Sequence, residues 1–163
     1  MTSDIKQIAT WLQPMDIVLD VDVRDRPQAI EIGTSAFCRT QGLDPTPVFR
    51  ALWRREQAGS TALGEGFAIP HARIGGIARP TTLFMRTRVA IAFDAPDGHP
   101  VSQLLVILVP EDGAKDDHLQ LLALVARLFS DRGFRTRLDR ATDAAAVADA
   151  FQAGVARLLS ASS

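Results

Sequence analysis

The 163-residue sequence predicts an α/β fold. Three observations carry that expectation. Two β-rich runs, "TTLFMRTRVAIAF" and "SQLLVILVP", sit in the middle of the chain; helical periodicity lies on both sides of them; and no repeat, low-complexity tract or linker divides the sequence. A chain of this length holds one domain with a real core and is short for two, so residues 1–163 are expected to form a single domain. Hydrophobic residues make up 47% and charged residues 23%, ordinary globular usage that excludes disordered and fibrous classes.

Ile5, Ile8, Ala9 and Leu12 have helical spacing, and Pro14 closes that segment. "IVLDVDV" reads as a short strand. Asp25 followed by Pro27 starts a helix whose face carries Ala29, Ile30, Gly33 and Phe37, until "QGLDP" stops it. A second helix runs from Pro45 to about Gln57, with Gly59 just past its end. Phe67, Ala68 and Ile69 suit a buried strand, and the turn residues of "DAPDGHP" separate the two central β runs. Asp117 with Gln120 resembles a capping box ahead of the apolar run from Leu119 to Phe129. An alanine-rich helix from about Asp143 to Leu159 finishes the chain.

A net charge of −1, with acids and bases interspersed, provides no field to gather nucleic acid or anionic lipid. Cys38 is the single cysteine, which excludes an internal disulfide or a cysteine zinc cluster and fits a reducing compartment. "MTSDIKQIATWLQP" is too polar for a secretory h-region, and no run approaches a membrane span; a cytoplasmic protein without membrane insertion is expected. Gly59 and Gly64 have P-loop spacing, but Glu65 and Gly66 replace the required Lys and Ser or Thr. Ile69 stands where a dinucleotide fingerprint needs its third glycine. Neither a G-x-S-x-G elbow nor an H-E-x-x-H zinc helix is present. No cofactor or metal is expected.

The remaining chemistry gathers in "FAIPHAR". Pro70 fixes its own φ and biases Ile69 to an extended conformation, so the imidazole of His71 stands on a stiff backbone. A neutral imidazole is a good nucleophile near neutral pH and can take a phosphoryl group by in-line displacement and release it later. Rigid presentation suits a transfer governed by alignment and charge stabilisation. The structural alternative is a histidine that ends a strand with its ring bonded to backbone.

"REQAGSTALGEGFAIPHAR" (55–73) resembles the signature of the mannitol/fructose-type enzyme IIA domains of the bacterial phosphoenolpyruvate-dependent phosphotransferase system. "DDHLQLLALVARLFSD" (116–131) is similar to the family's second-histidine helix, and "FDAPDGHPVSQLLVILVP" (93–110) to its strand and turn region. The complete pattern, with "WLQPMDIVLDVDV" near the start, looks most like the nitrogen-regulatory branch. The resemblance implies a central mixed β-sheet flanked by helices. It implies that His71 is phosphorylated by a histidine phosphocarrier protein of the HPr type, and that the product signals to a regulatory target such as a transporter or kinase. It makes the protein a phosphotransferase component without independent turnover.

The resemblance also supplies supporting residues. His118 aligns with the second site histidine, over the Leu122, Val125 and Phe129 face near a helix N-terminus. Arg55 aligns with the site arginine; it flanks the apolar face of Val48, Phe49, Leu52 and Trp53 while Arg54 points away, and a guanidinium there pairs bidentately with phosphate. Ser60 and Thr61 offer hydroxyls and amides to phosphate oxygens or shape a turn, and Arg73 offers charge to the phosphate or the donor. Glu65 matches the mannitol-type pattern, where many nitrogen-branch relatives carry asparagine; a carboxylate there orients the His71 ring or is solvated. His99, in "DGHP", is expected to be an exposed turn residue. Phe67, Ile74 and Leu63 are candidates for an apolar partner surface around His71. Three other functions compete: a sugar-specific component passing phosphate to a IIB domain, a binding module that takes no phosphate, and a small metal-dependent hydrolase built on the three histidines.

Overall fold

The computed structural model describes residues 12–113 and 115–161. The helix predicted over residues 4–12 lies outside them, Leu12 apart. Contacts divide the chain into two compact units, one formed by Val18–Asp112 and the other by the described residues before and after it.

The first unit is built on a six-stranded mixed sheet ordered β1-β5-β6-β3-β2, with β4 also paired to β6. The strands are β1 (Ile17–Val21), β2 (Ala62–Gly64), β3 (Phe67–Ala68), β4 (His71–Ile74), β5 (Thr81–Ile91) and β6 (Val101–Pro110). β6 is central because its sequence allows nothing else: Leu104 to Val109 is an unbroken apolar run buried throughout, the pattern of a strand covered on both faces. β5 pairs with it antiparallel through Thr81↔Leu108 to Arg86↔Gln103. β3 and β4 run parallel to the other side of β6, Phe67 opposite Gln103 and His71 opposite Ile107. They are two pieces of one extended segment along β6 interrupted at Ile69 and Pro70, because proline has no N–H for the ladder. The Pro70 carbonyl still accepts from Ile107 N at 2.9 Å, which keeps the two pieces aligned and puts His71 at the start of the second.

Two helices cover this sheet. In α1 (Arg26–Gln41) Asp25 caps the N-terminus by accepting from Gln28 N, and Pro27 sits in the first turn. α1 packs on β5; a Cβ at its Gly33 would meet Val106 at 3.5 Å. α2 (Pro45–Gln57) is capped by Asp44 and has the predicted bounds. It buries Val48 and Leu52 and packs on β4. The strand expected at Phe67–Ala68 is β3; it pairs with β2, which the sequence reading lacks, in a short hairpin ahead of β4, whose turn places Glu65 at φ 57 between Gly64 at 95 and Gly66 at 84.

The second unit holds α3 (Lys115–Ser130), α4 (Arg132–Arg140) and α5 (Ala144–Ala161). α3 begins two residues before Asp117, so Asp117 lies in its first turn and is not the cap of a capping box. α4 went unpredicted: four arginines mask its two buried anchors, Phe134 and Leu138. Phe129, Phe134 and Phe151 meet edge to face with centroids 5.0–6.1 Å apart.

Candidate functional site

His71 opens β4 with 8% of its surface exposed, and its ring is held at both nitrogens. Nδ1 lies 2.8 Å from the Ile69 carbonyl oxygen. A carbonyl only accepts, so Nδ1 carries the proton. Nε2 lies 3.3 Å from Nε of Arg55, which only donates. The two bonds together describe a neutral ring protonated at Nδ1, with the lone pair of Nε2 turned to a guanidinium.

Arg55 comes from the last turn of α2. Its Nη1 donates to the Gly59 carbonyl at 2.8 Å, and its Nη2 makes no hydrogen bond among the described residues. Arg54, one residue back, is exposed, as the helical wheel requires.

The loop between Arg55 and His71 is tied down from inside. Glu56, with a fully buried side chain, accepts from Thr61 N at 3.1 Å and from Thr61 Oγ1 at 2.6 Å. Arg26 approaches the same carboxylate at 3.7 Å and Asp94 at 3.4 Å, and its guanidinium lies over the rings of Trp53 and Phe93. Sequence reasoning missed Glu56 and Arg26. The signal was there: Val48, Leu52 and Glu56 are spaced i, i+4, i+8, so a carboxylate falls on the buried stripe of α2 and must find partners inside.

The other anticipated residues occupy these places. The Ser60 hydroxyl donates to the Phe93 carbonyl and accepts from Ala62 N, while the Thr61 hydroxyl donates to Glu56. Glu65 is exposed at the hairpin apex, its backbone N donating to Asp97 at 2.9 Å. Asp97 also accepts from His99 N at 3.0 Å, and these backbone donors hold its carboxyl below the usual carboxylate range. Gly64 is required there: φ is 95 and a Cβ would sit 3.2 Å from the Asp97 carboxylate. His99 is exposed, as expected. Arg73 lies two residues beyond His71 on β4, hence on the same side of the strand, and is half-buried. His118 is half-buried in the first turn of α3, in the second unit. Phe67 and Ile74 are core residues at 2% and 8% exposure, which removes them from a partner surface; Leu63 is exposed. Among the described residues, no group of three His, Cys, Asp or Glu side chains is arranged to hold a metal ion, and no helix is long and apolar enough to cross a membrane.

The mixed sheet and the last turn of α2 thus bring the acceptor nitrogen of a histidine ring against a guanidinium. Residues 10–154 match the family described as phosphoenolpyruvate-dependent sugar phosphotransferase system, EIIA 2, and the chain belongs to that family. Within it the chain is related to nitrogen-regulatory IIA proteins. It is 34% identical to a nitrogen regulatory protein of Bradyrhizobium diazoefficiens over 140 residues, covering 86% of this chain and 91% of the other. The crystal structure of nitrogen regulatory protein IIA-Ntr from Neisseria meningitidis superposes with a TM-score of 0.82 at 38% identity, covering 89% of this chain and 99% of that one. A fructose-specific EIIA component of Haloferax volcanii is 32% identical over 152 residues, 90% of this chain and 95% of that protein.

Proposed function

We propose that the protein accepts a phosphoryl group on Nε2 of His71 from an HPr-type phosphocarrier and acts as a nitrogen-regulatory signalling component, its phosphorylation state being read by a target such as a transporter or kinase. The observation that carries this reading is the ring held by Ile69 and Arg55. The Nδ1 proton donated to the Ile69 carbonyl leaves the lone pair on Nε2, which forms the new N–P bond as the P–N bond to the donor breaks and its electron pair returns to the donor nitrogen. No proton has to cross. Arg55 leaves Nε2 as phosphorus arrives, and its Nε and Nη2 then donate to the phosphoryl oxygens, bidentately and without leaving the Gly59 carbonyl.

Ser60 and Thr61 serve by shaping the turn, since their hydroxyls are committed to Phe93 and Glu56. Arg73 adds positive charge along the same side of β4. His118 enters on the resemblance alone; a His118→Asn variant that takes phosphate as fast as the wild type removes it from the account. The chain works as one domain, in the cytoplasm, without turnover of its own.

A second reading is favoured by the fructose-specific relative and by Glu65, which follows the mannitol-type pattern: a sugar-branch component that passes phosphate to a IIB domain. Incubation with phosphoenolpyruvate, enzyme I and an HPr-type carrier, followed by intact mass, tests the common step. One phosphate-sized gain, absent in His71→Ala, is expected. No gain, or a gain that persists in His71→Ala, overturns it. Release of that phosphate to an added IIB domain separates the sugar reading from the regulatory one.

A further inference from the structure

We infer that Glu56 is a positioning residue that sets which nitrogen of His71 is nucleophilic and where Arg55 points. The inference rests on the carrier reading of His71, but its geometry stands by itself. Hydrogen bonds between Glu56 and His71 form a closed circuit. The Glu56 carboxylate holds Thr61 by both its N–H and its hydroxyl. The Thr61 carbonyl accepts from Ile69 N at 3.0 Å. The Ile69 carbonyl accepts from His71 Nδ1 at 2.8 Å. His71 Nε2 accepts from Arg55 Nε, and Arg55 Nη1 donates to the Gly59 carbonyl. The Gly59 N–H returns to the backbone carbonyl of Glu56 at 3.2 Å, closing the ring.

Each link constrains the next. The position of the Ile69 carbonyl selects the Nδ1–H tautomer, and Ile69 is held by Thr61. The Gly59 carbonyl aims the guanidinium, and Gly59 lies between Glu56 and Thr61, so the carboxylate fixes both arms of the site from one buried point. A carboxylate suits this because it accepts from two donors of one residue without rotating, and Arg26, itself lodged between Trp53 and Phe93, partners its charge. Glu56 touches neither His71 nor the phosphoryl group; it acts through the loop.

Long-range proton–nitrogen NMR of the His71 ring, assigned with His71→Ala, reads the tautomer in unphosphorylated protein, and phosphate uptake from the HPr-type carrier reads the consequence. The wild type is expected to hold the Nδ1–H form. Glu56→Met keeps the bulk and the helix but removes both acceptors; a mixture of tautomers and uptake slowed about ten- to a hundredfold are expected. Glu56→Gln should restore much of both, since its amide oxygen accepts Thr61 N–H and its amide nitrogen donates to a reversed hydroxyl. Should Glu56→Met fail to fold, Thr61→Val against Thr61→Ser decides: valine loses the hydroxyl link and mixes the tautomers, serine keeps them single. A single wild-type tautomer in the folded Glu56→Met or Thr61→Val variant overturns the inference. If the tautomers respond as expected while no protein takes phosphate, the circuit holds and the carrier reading falls.

Discussion

The loop from Glu56 to His71 and the helices α3 to α5 solve the same problem, holding chain segments together, with different forces. The loop has glycines at 59, 64 and 66, no helix of its own and only two-to-four-residue strands; directed hydrogen bonds onto a buried carboxylate keep it in one shape. The helical unit relies on burial, with Phe129, Phe134 and Phe151 in mutual edge contact and Gly154 letting α5 close on α3 and α4, where a Cβ would come within 2.6 Å of Leu128. Burial tolerates small shifts and stabilises in proportion to area. Hydrogen bonds are worth less but specify angle and proton position, which the phosphate-accepting role proposed for His71 requires.

That contrast can be broken in order of size. Phe151→Ala removes the ring shared by both other phenylalanines and should cost about 3–5 kcal/mol in denaturant unfolding. Arg55→Lys should leave the unfolding midpoint nearly unchanged yet slow phosphate uptake about a hundredfold, because an ammonium cannot donate from two fixed nitrogens. Equal damage to folding and uptake would erase the distinction between the two regions. Glu65→Asn should stabilise by about 0.5–1 kcal/mol in the same unfolding assay, because asparagine tolerates the left-handed conformation that Glu65 holds at φ 57. The smallest effect is acid sensitivity of the hairpin anchor. Asp97 has a lowered folded pKa, so its contribution is fully present above its unfolded value of about 3.9 and is lost as pH falls through the folded one. The stability gap between wild type and Asp97→Asn should therefore be constant near neutrality and shrink below about pH 4 in pH-dependent unfolding.

Much of this was legible beforehand, and the failures are instructive. The run Leu104–Val109, the cap Asp25 and the bounds of α2 follow from local pattern, and a helical wheel agreed with the family resemblance in favouring Arg55 over Arg54. α4 was missed because its charges outweigh two anchors, and β2, with the hairpin it makes with the expected strand at Phe67–Ala68, because three residues are too few for alternation to register. Ile74 was offered to a partner because composition does not tell an exposed apolar residue from a core one, whereas Phe67 had already been read into a buried strand and belonged inside on that ground.

The presence of a rigid histidine behind a proline, and of an arginine on the correct flank of a helix, is written in residue spacing, because local backbone geometry follows from local chemistry. That the two side chains meet, that the ring proton sits on Nδ1, and that Glu56 ties the loop from within depend on segments up to sixteen residues apart being folded against one another. Periodicity orients a side chain relative to its own helix or strand. Its partner is chosen by packing, which no local pattern encodes.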